Sequence, residues 1–292
     1  MKNIILGTDW WTDCDDAVAI RLLARAHKNK EINLTGICMN GCMEYSVQSL
    51  SAYMTDMGLG DIPIGIDLNG TDFTGHGKFQ KPLCEYPCTL HSNNEAENGV
   101  LLYRRLLAKS PEKVDIIEIG FMQVLAALLD SPPDEYSPLH GRELVKQKVN
   151  TLYAMAGKWD EEGGKEHNFC NNARSISGGM KVCAEWDTEI VFLGWEVGNS
   201  VISGGGLDEN DLLYVIMKAR GNENGRSSWD PMTVLLALAE SPEKAGYKTV
   251  RGKASLDEAG ANYFMPDNKG KHRFVVKTMP DEYYADRINK GI

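Results

Sequence analysis

The chain has no basic surplus. Its 31 lysines and arginines face 41 aspartates and glutamates, giving a net charge of −10 at neutral pH. Binding to a phosphate backbone or an anionic bilayer needs a positive face, so neither nucleic acid nor membrane is expected as a partner. No apolar run is long enough to span a bilayer, which takes about 20 residues. The N-terminal Asn3-Ile4-Ile5-Leu6 soon meets acidic residues and lacks the pattern of a secretory leader. Cysteines number seven (Cys14, Cys38, Cys42, Cys84, Cys88, Cys170 and Cys183). An odd, scattered set is no disulfide framework, and no second Cys/His pair at zinc-site spacing accompanies Cys84 and Cys88. Reduced thiols in a cytoplasmic protein are the expectation. Internal repeats and composition-shift linkers are missing too, so residues 1–292 are expected to form one domain.

What is present is an ordinary globular composition, 42% hydrophobic and 25% charged over 292 residues, enough for a sizeable core. Short apolar β-rich runs alternate with longer amphipathic ones. Strands are expected at Asn3–Leu6, Ile32–Cys38, Pro63–Ile66, Val114–Ile119, Thr151–Met155 and Glu189–Leu193. Helices are expected at Asp16–His27, Glu44–Met57, onward to Leu129, at Ala173–Trp186 and at Asn210–Ala219, with Ala17, Ile20, Leu23 and Ala24 forming one face of the first. Such alternation predicts an α/β fold with a mostly parallel, doubly wound sheet flanked by helices. Residues 67–92, 131–140 and 156–168 read as loops. The first and third are candidates for active-site walls. Past Arg251 come β-like pieces at Tyr263-Phe264 and Arg273–Lys277 and a closing helix.

The most informative segment is Gly7-Thr8-Asp9-Trp10-Trp11-Thr12-Asp13-Cys14-Asp15-Asp16-Ala17-Val18-Ala19-Ile20. Its aspartates lie between a buried strand and a helix, at the strand's carboxyl end, where open α/β sheets bind ligands. One or two acids would serve as helix caps; four are more than capping needs. Two carboxylates ~5 Å apart repel by roughly 3 kcal/mol at an effective dielectric of 20. A hard cation with oxygen ligands offsets such repulsion, and Ca²⁺ suits a large, irregular ligand set better than Mg²⁺. Asp15 and Asp16 project about 100° apart at the helix start, so one can face a metal and the other a ligand beside it.

This segment resembles the N-terminal signature of the nucleoside hydrolases, which in one branch reads D-T-D-I-G-T-D-C-D-D-A-L-A-L. Other segments are similar in order. Thr35-Gly36-Ile37-Cys38-Met39-Asn40 resembles the second strand with its sugar-binding Asn, and Glu118-Ile119-Gly120-Phe121-Met122-Gln123 the T-G-P-L-T-N turn. Tyr153-Ala154-Met155-Ala156-Gly157 resembles M-G-G, Glu166-His167-Asn168 resembles E-F-N, and Ser228-Trp229-Asp230-Pro231 resembles the late H-D-P. The resemblance implies a calcium-dependent N-ribohydrolase that cuts a ribonucleoside, or a related ribosyl compound, into free base and ribose. It implies Ca²⁺ held by Asp9, Asp16 and Asp230 and by the backbone carbonyl of Gln123. Asp15, Asn40, Glu166 and Asn168 would bind the ribose hydroxyls, and Met155 would line the sugar pocket. Asp9 would be the base that deprotonates the calcium-bound water. Family members are usually dimers or tetramers, so a homo-oligomer is implied as well.

Each of these positions has a plainer explanation. Asn40 can end a strand in a turn, Glu166 and Asn168 can be solvated loop residues, Asp230 can cap a helix that has Pro231 at its first turn, and Met155 can be core.

Three departures from the family pattern bear on the chemistry. Gly7 stands where the family usually has Asp, a position expected to support the metal ligands. Trp10-Trp11 replaces a small turn pair and would stack on a base, pack under a flap, or fill the core. Trp229 stands where members that use purines and pyrimidines often have His, and an indole is no proton donor of that kind. Either a leaving-group acid comes from His76, His91, His167, Tyr263 or Glu196, or the leaving group needs none, or turnover of ordinary nucleosides is slow. Of these residues, His76 resembles a flap histidine, and His76 and Trp229 are the candidate base contacts.

Two other functions compete. One is a degenerate relative that holds a ribosyl ligand without cutting it. The other is a Mg²⁺-dependent phosphatase, which would want cations at the strand end; only Lys158, Lys165 and Arg174 are nominated from nearby loops.

Overall fold

The computed structural model describes all 292 residues. Its frame is one eleven-stranded sheet. In chain order the strands are β1 (Lys2–Thr8), β2 (Ile32–Met39), β3 (Ile64–Ile66), β4 (Glu97–Asn98), β5 (Val114–Glu118), β6 (Val149–Met155), β7 (Gly164–Lys165), β8 (Glu189–Leu193), β9 (Ile202–Ser203), β10 (Arg226–Ser227), β11 (Tyr247–Leu256), β12 (Ala261–Pro266) and β13 (His272–Lys277). Across the sheet the order is β4-β3-β2-β1-β5-β6-β8-β13-β11-β12-β7, while β9 and β10 form a separate pair. Pairing is parallel from β4 through β13 and antiparallel from β13 to β7. The expected mostly parallel, helix-flanked sheet is therefore what forms, and the anticipated elements lie within two residues of their expected bounds.

Period-two alternation builds the two cores. Along β1, Ile4 and Leu6 face one layer and Ile5 the other, as successive strand side chains must. The first layer holds α1 (Asp15–Lys28) with the helices Ser46–Asp56, Leu212–Arg220, Trp229–Leu238 and Asp281–Gly291. The second holds Gly99–Lys109, Gln123–Asp130, Gly141–Lys148 and Ala173–Glu185. None of the helices is long and apolar enough to cross a membrane. All seven cysteines are free.

After β1 the chain runs outward through β2, β3 and β4, then returns to the other side of β1 as β5. The strand order thus reverses between β1 and β5. Loops leaving those two strands at their carboxyl ends splay apart and open a crevice.

The turn after β1 is also where the paired indoles go. Trp10 sits in the left-handed region at φ 46°, which is costly for a bulky residue. The cost is met by burial. Its ring is fully buried, stacks on Tyr53 at 5.8 Å and meets Phe79 edge-on at 5.0 Å, and its Nε1 donates to Ser49 Oγ at 2.9 Å. Trp11 packs against Phe73 and donates to the Thr74 carbonyl at 3.0 Å, under the 67–92 loop. Neither indole lines the crevice. Trp10→Ala is expected to lower unfolding free energy by about 3–5 kcal/mol, the usual range for a buried Trp truncation, as measured by denaturant titration.

Candidate active site

The carboxyl ends of β1, β5 and β6 and the starts of α1 and the Trp229–Leu238 helix surround a cavity of about 250 Å³. Asp9, Asp15, Asp16 and Asp230 form part of its wall, and each is almost wholly buried. Asp15, Asp16 and Asp230 each offer a carboxylate oxygen within 4.8 Å of the others. Local hydrogen bonds hold them in place. Asp16 Oδ1 accepts from the Thr8 hydroxyl, Asp15 Oδ2 from the Asp230 N–H at 3.1 Å, and Asp9 Oδ1 from the Trp11 N–H at 3.1 Å. Both ends of the chain therefore contribute, as the order Asp9, Asp16, Asp230 in the sequence requires.

Asp13 has a different role. It pairs with Arg226 at 2.6 Å. Although burial works against ionisation, the Arg226 guanidinium and the Cys14 N–H hold its carboxyl below the usual range. The other four are pushed the opposite way. Burial, opposed by the Trp11 N–H and reinforced by Asp15, Asp13 and Glu118, raises Asp9 to about 8. Burial and neighbouring charge raise Asp15, Asp16 and Asp230 well above the carboxylate range. A group of buried oxygen donors that cannot all ionise unaided fits a divalent cation of the hard class.

The same cavity carries the sugar-binding candidates. Glu166 is buried, with Oε1 accepting from Asn168 N at 2.8 Å and Oε2 from Gly157 N at 3.0 Å. Burial nevertheless raises it to about 7. Asn168 Nδ2 donates to the Met155 carbonyl at 2.9 Å and approaches Ile119 O at 3.4 Å. Glu166, Asn168 and Met155 all line the cavity.

Asn40 and Gln123 do not line it. The Asn40 amide is committed at both ends, donating to Glu118 Oε1 at 2.7 Å and accepting from Phe121 N at 2.9 Å. Gln123 is the first residue of its helix, and its side chain donates to the Asn40 carbonyl and to Asp67 Oδ2. The residue of that turn that lines the cavity is Ile119, four positions earlier. The sequence motif brings its turn to the cavity, but through Ile119 rather than Gln123. Register supplies the missing signal: Gly7 pairs with Glu118, and Ile119 N donates to Gly7 O, so Ile119 is the first residue past the end of β5.

The remaining pole is aromatic. Trp229 and Trp195 line it; Trp229 Nε1 donates to the Trp195 carbonyl at 2.9 Å, and the Arg226 guanidinium lies 5.0 Å above the Trp229 ring. Of the five nominated proton donors only His167 lines the cavity. Its ring sits 5.7 Å from Phe121, and Asn171 Nδ2 lies 3.0 Å from its Nε2. His76 is exposed on the 67–92 loop. His91 lies by Cys88, Tyr263 donates to Asp257 Oδ2 at 3.1 Å, and Glu196 accepts from Trp159 N at 3.2 Å. Lys158, Lys165 and Arg174 also stay outside the cavity; the cation in its wall, Arg226, is spent on Asp13.

No protein-family model and no curated protein matches this sequence. Solved structures do match in shape. A plant nucleoside hydrolase superposes with a TM-score of 0.74 at 15% identity, covering 99% of this chain and 98% of that one. The fold is that of the nucleoside hydrolases. A purine-preferring ribonucleoside hydrolase from Gardnerella vaginalis gives 0.73 at 15% identity over 99% of both chains. The type III effector protein XopQ, complexed with adenosine diphosphate ribose, gives 0.70 at 14% identity over 99% of this chain and 93% of that one. In this fold the cavity with its buried aspartates lies at the reversal point between β1 and β5.

The raised carboxyls make a linkage prediction. Asp9, Glu118 and Glu166 are held at about 8, 8 and 7 in the folded chain, against ordinary values near 4 when unfolded. Between those limits the native state binds more protons than the unfolded state, so stability falls as pH rises. Without divalent cation, Tm should drop by more than ~5 °C from pH 5 to pH 8. Millimolar calcium should restore most of the loss at pH 8 and little at pH 5, as read by scanning calorimetry.

Proposed function

We propose that the chain hydrolyses the N-glycosidic bond of a ribonucleoside, or of a related ribosyl compound, to free base and ribose. The observation that carries this reading is the meeting of Asp9, Asp15, Asp16 and Asp230 in one cavity that Glu166, Asn168 and Met155 also line. Asp16 and Asp230 would hold Ca²⁺ with Asp15, the third carboxylate of the group within 4.8 Å; Asp9, expected among the ligands, lies outside that group but lines the same cavity, and Ile119, rather than Gln123, would offer the backbone carbonyl. When bound, the ion neutralises the clustered charge and makes an attacking water more acidic.

The chain's own groups do the rest. Oδ1 of Asp9 is engaged by the Trp11 N–H, which leaves Oδ2 to take the proton from water. Glu166 and Asn168 grip ribose hydroxyls, and Asp15 shares that task if it leaves the ion to its neighbours. As the base departs, C1′ becomes cationic, and the surrounding carboxylates stabilise that charge. Met155 closes the sugar pocket from the end of β6. The base lies toward Trp195 and Trp229. The Trp229 N–H is bound to a carbonyl, so His167, which lines the cavity, would serve as donor to the leaving nitrogen.

A second reading, a ribosyl-ligand binder that does not cut, is favoured by one observation: the indole of Trp229 and the Arg226 stacked on it occupy the leaving-group pole without a strong acid. Incubation with inosine, uridine and p-nitrophenyl riboside, with Ca²⁺ and with chelator, separates the two. Free ribose in the calcium arm supports hydrolysis; saturable binding without ribose release supports the binder.

Asp9→Ala should lower kcat by at least about 10²-fold, the scale of lost general-base help, and near-normal turnover would exclude Asp9 as the base. His167→Phe should slow inosine hydrolysis by about 10²–10⁴-fold while sparing p-nitrophenyl riboside, whose leaving group departs without a proton. Equal loss on both substrates would remove His167 from that role.

A further inference from the structure

Gly7 is flanked in register by Glu118 on β5 and Cys38 on β2. Side chains of laterally paired strand residues share a face, and here Glu118 takes the room. A Cβ on Gly7 would lie 2.5 Å from the Glu118 carboxyl carbon and 2.6 Å from its Oε1. The carboxyl group of residue 118 thus lies directly over residue 7, and it is 1% exposed.

From that position it fastens three strand ends. Oε1 accepts from Asn40 Nδ2 at 2.7 Å, just past β2, and from Gly120 N at 3.0 Å, just past β5. Asn40 N in turn donates to Thr8 O, and Ile119 N to Gly7 O, both at 2.9 Å, at the end of β1. Asn40 Oδ1 receives Phe121 N at 2.9 Å. The backbone segments carrying Asp9 and the Ile119 carbonyl are therefore set against each other by one side chain. Oε2 is buried and has no hydrogen-bond partner, a cost that a purely packing residue would not carry.

We propose that Glu118 is a support for the cation site. Its carboxyl, supplied from β5, takes the space over β1 that a side chain at residue 7 would need, and Gly7 leaves that space open. Glu118 is a positioning residue: it acts through Asn40 and Gly120 on Asp9 and Ile119, and touches no substrate. The inference rests on the cation site proposed above and deepens it.

The test is an exchange cycle read by calcium calorimetry, with folding checked by circular dichroism. Glu118→Ala should weaken calcium binding by at least tenfold. Gly7→Asp should do the same, because two carboxyls then contend for one space. Glu118→Gln, which keeps the acceptor for Asn40 and Gly120, should stay within about threefold of the parent. The double variant Gly7→Asp with Glu118→Ala should recover most of what either single change loses, in binding and, if a single variant fails to fold, in folding too. Wild-type binding with an unaffected Glu118→Ala variant, or a double variant no better than its parents, overturns the proposal and leaves the cation site standing. A parent protein that binds no divalent cation overturns both.

Discussion

Mutual repulsion among carboxylates shut away from water is the constraint on which this molecule turns. Asp9, Asp15, Asp16 and Asp230 are each almost completely buried, and the charges of Asp9, Asp15 and Asp16 raise the proton affinity of others in the group. Such an arrangement is unfavourable for folding and is kept only where surrounding structure over-determines it. Here the surroundings are short hydrogen-bonded tethers: the Thr8 hydroxyl on Asp16, the Asp230 N–H on Asp15, the Trp11 N–H on Asp9. The deep burial of Trp10 fixes the strained turn from which two of these tethers issue. Asp13, the one acid of the segment with a permanent counter-ion, sets the contrast: Arg226 neutralises it, and it stays ionised.

Topology decides where that stress is concentrated. The chain winds one way from β1 to β4 and the other way from β5 onward, so the loops that follow β1 and β5 leave a gap. Into this gap the N-terminus of α1 and the N-terminus of the Trp229–Leu238 helix both point their first-turn acids. Helix N-termini favour negative charge, which partly offsets the repulsion and gives Asp15, Asp16 and Asp230 a structural reason to sit where they do, as well as a chemical one.

Much of this was legible in the residues. The strands of the parallel half are short, apolar and bounded by turn residues, and they form where that pattern places them. The aspartate-rich turn announced its site because four acids exceed what a helix cap uses. Glu166 and Asn168, ambiguous as loop residues, do reach the cavity. Other features were not readable. Tyr247–Leu256 is rich in charge and broken by Gly252, so its long strand lacks a clear apolar alternation and depends on pairing with β12 and β13. Gln123, expected to offer its carbonyl, lies outside the cavity lining, because a six-residue motif does not say which of its residues reaches inward; the register of β1 against β5 puts Ile119 at the strand end. Asn40 matched a sugar-binding position by order, but Glu118 and Phe121 claim both ends of its amide. Its side-chain direction depends on a neighbour 78 positions away, which no local pattern records.

The two-residue strand Gly164–Lys165 lies just before Glu166 and pairs with Ala261 and Asn262 at the far antiparallel edge, where Asn262 also grips Lys158 through both its amide atoms. The loop that presents Glu166 and Asn168 is therefore moored by polypeptide synthesised about a hundred residues later. A nascent chain can pair β1 with β2 early, yet the loop of Glu166 and Asn168 has nothing to dock against until β12 has been made. Completion of this wall of the cavity thus waits on a segment far downstream.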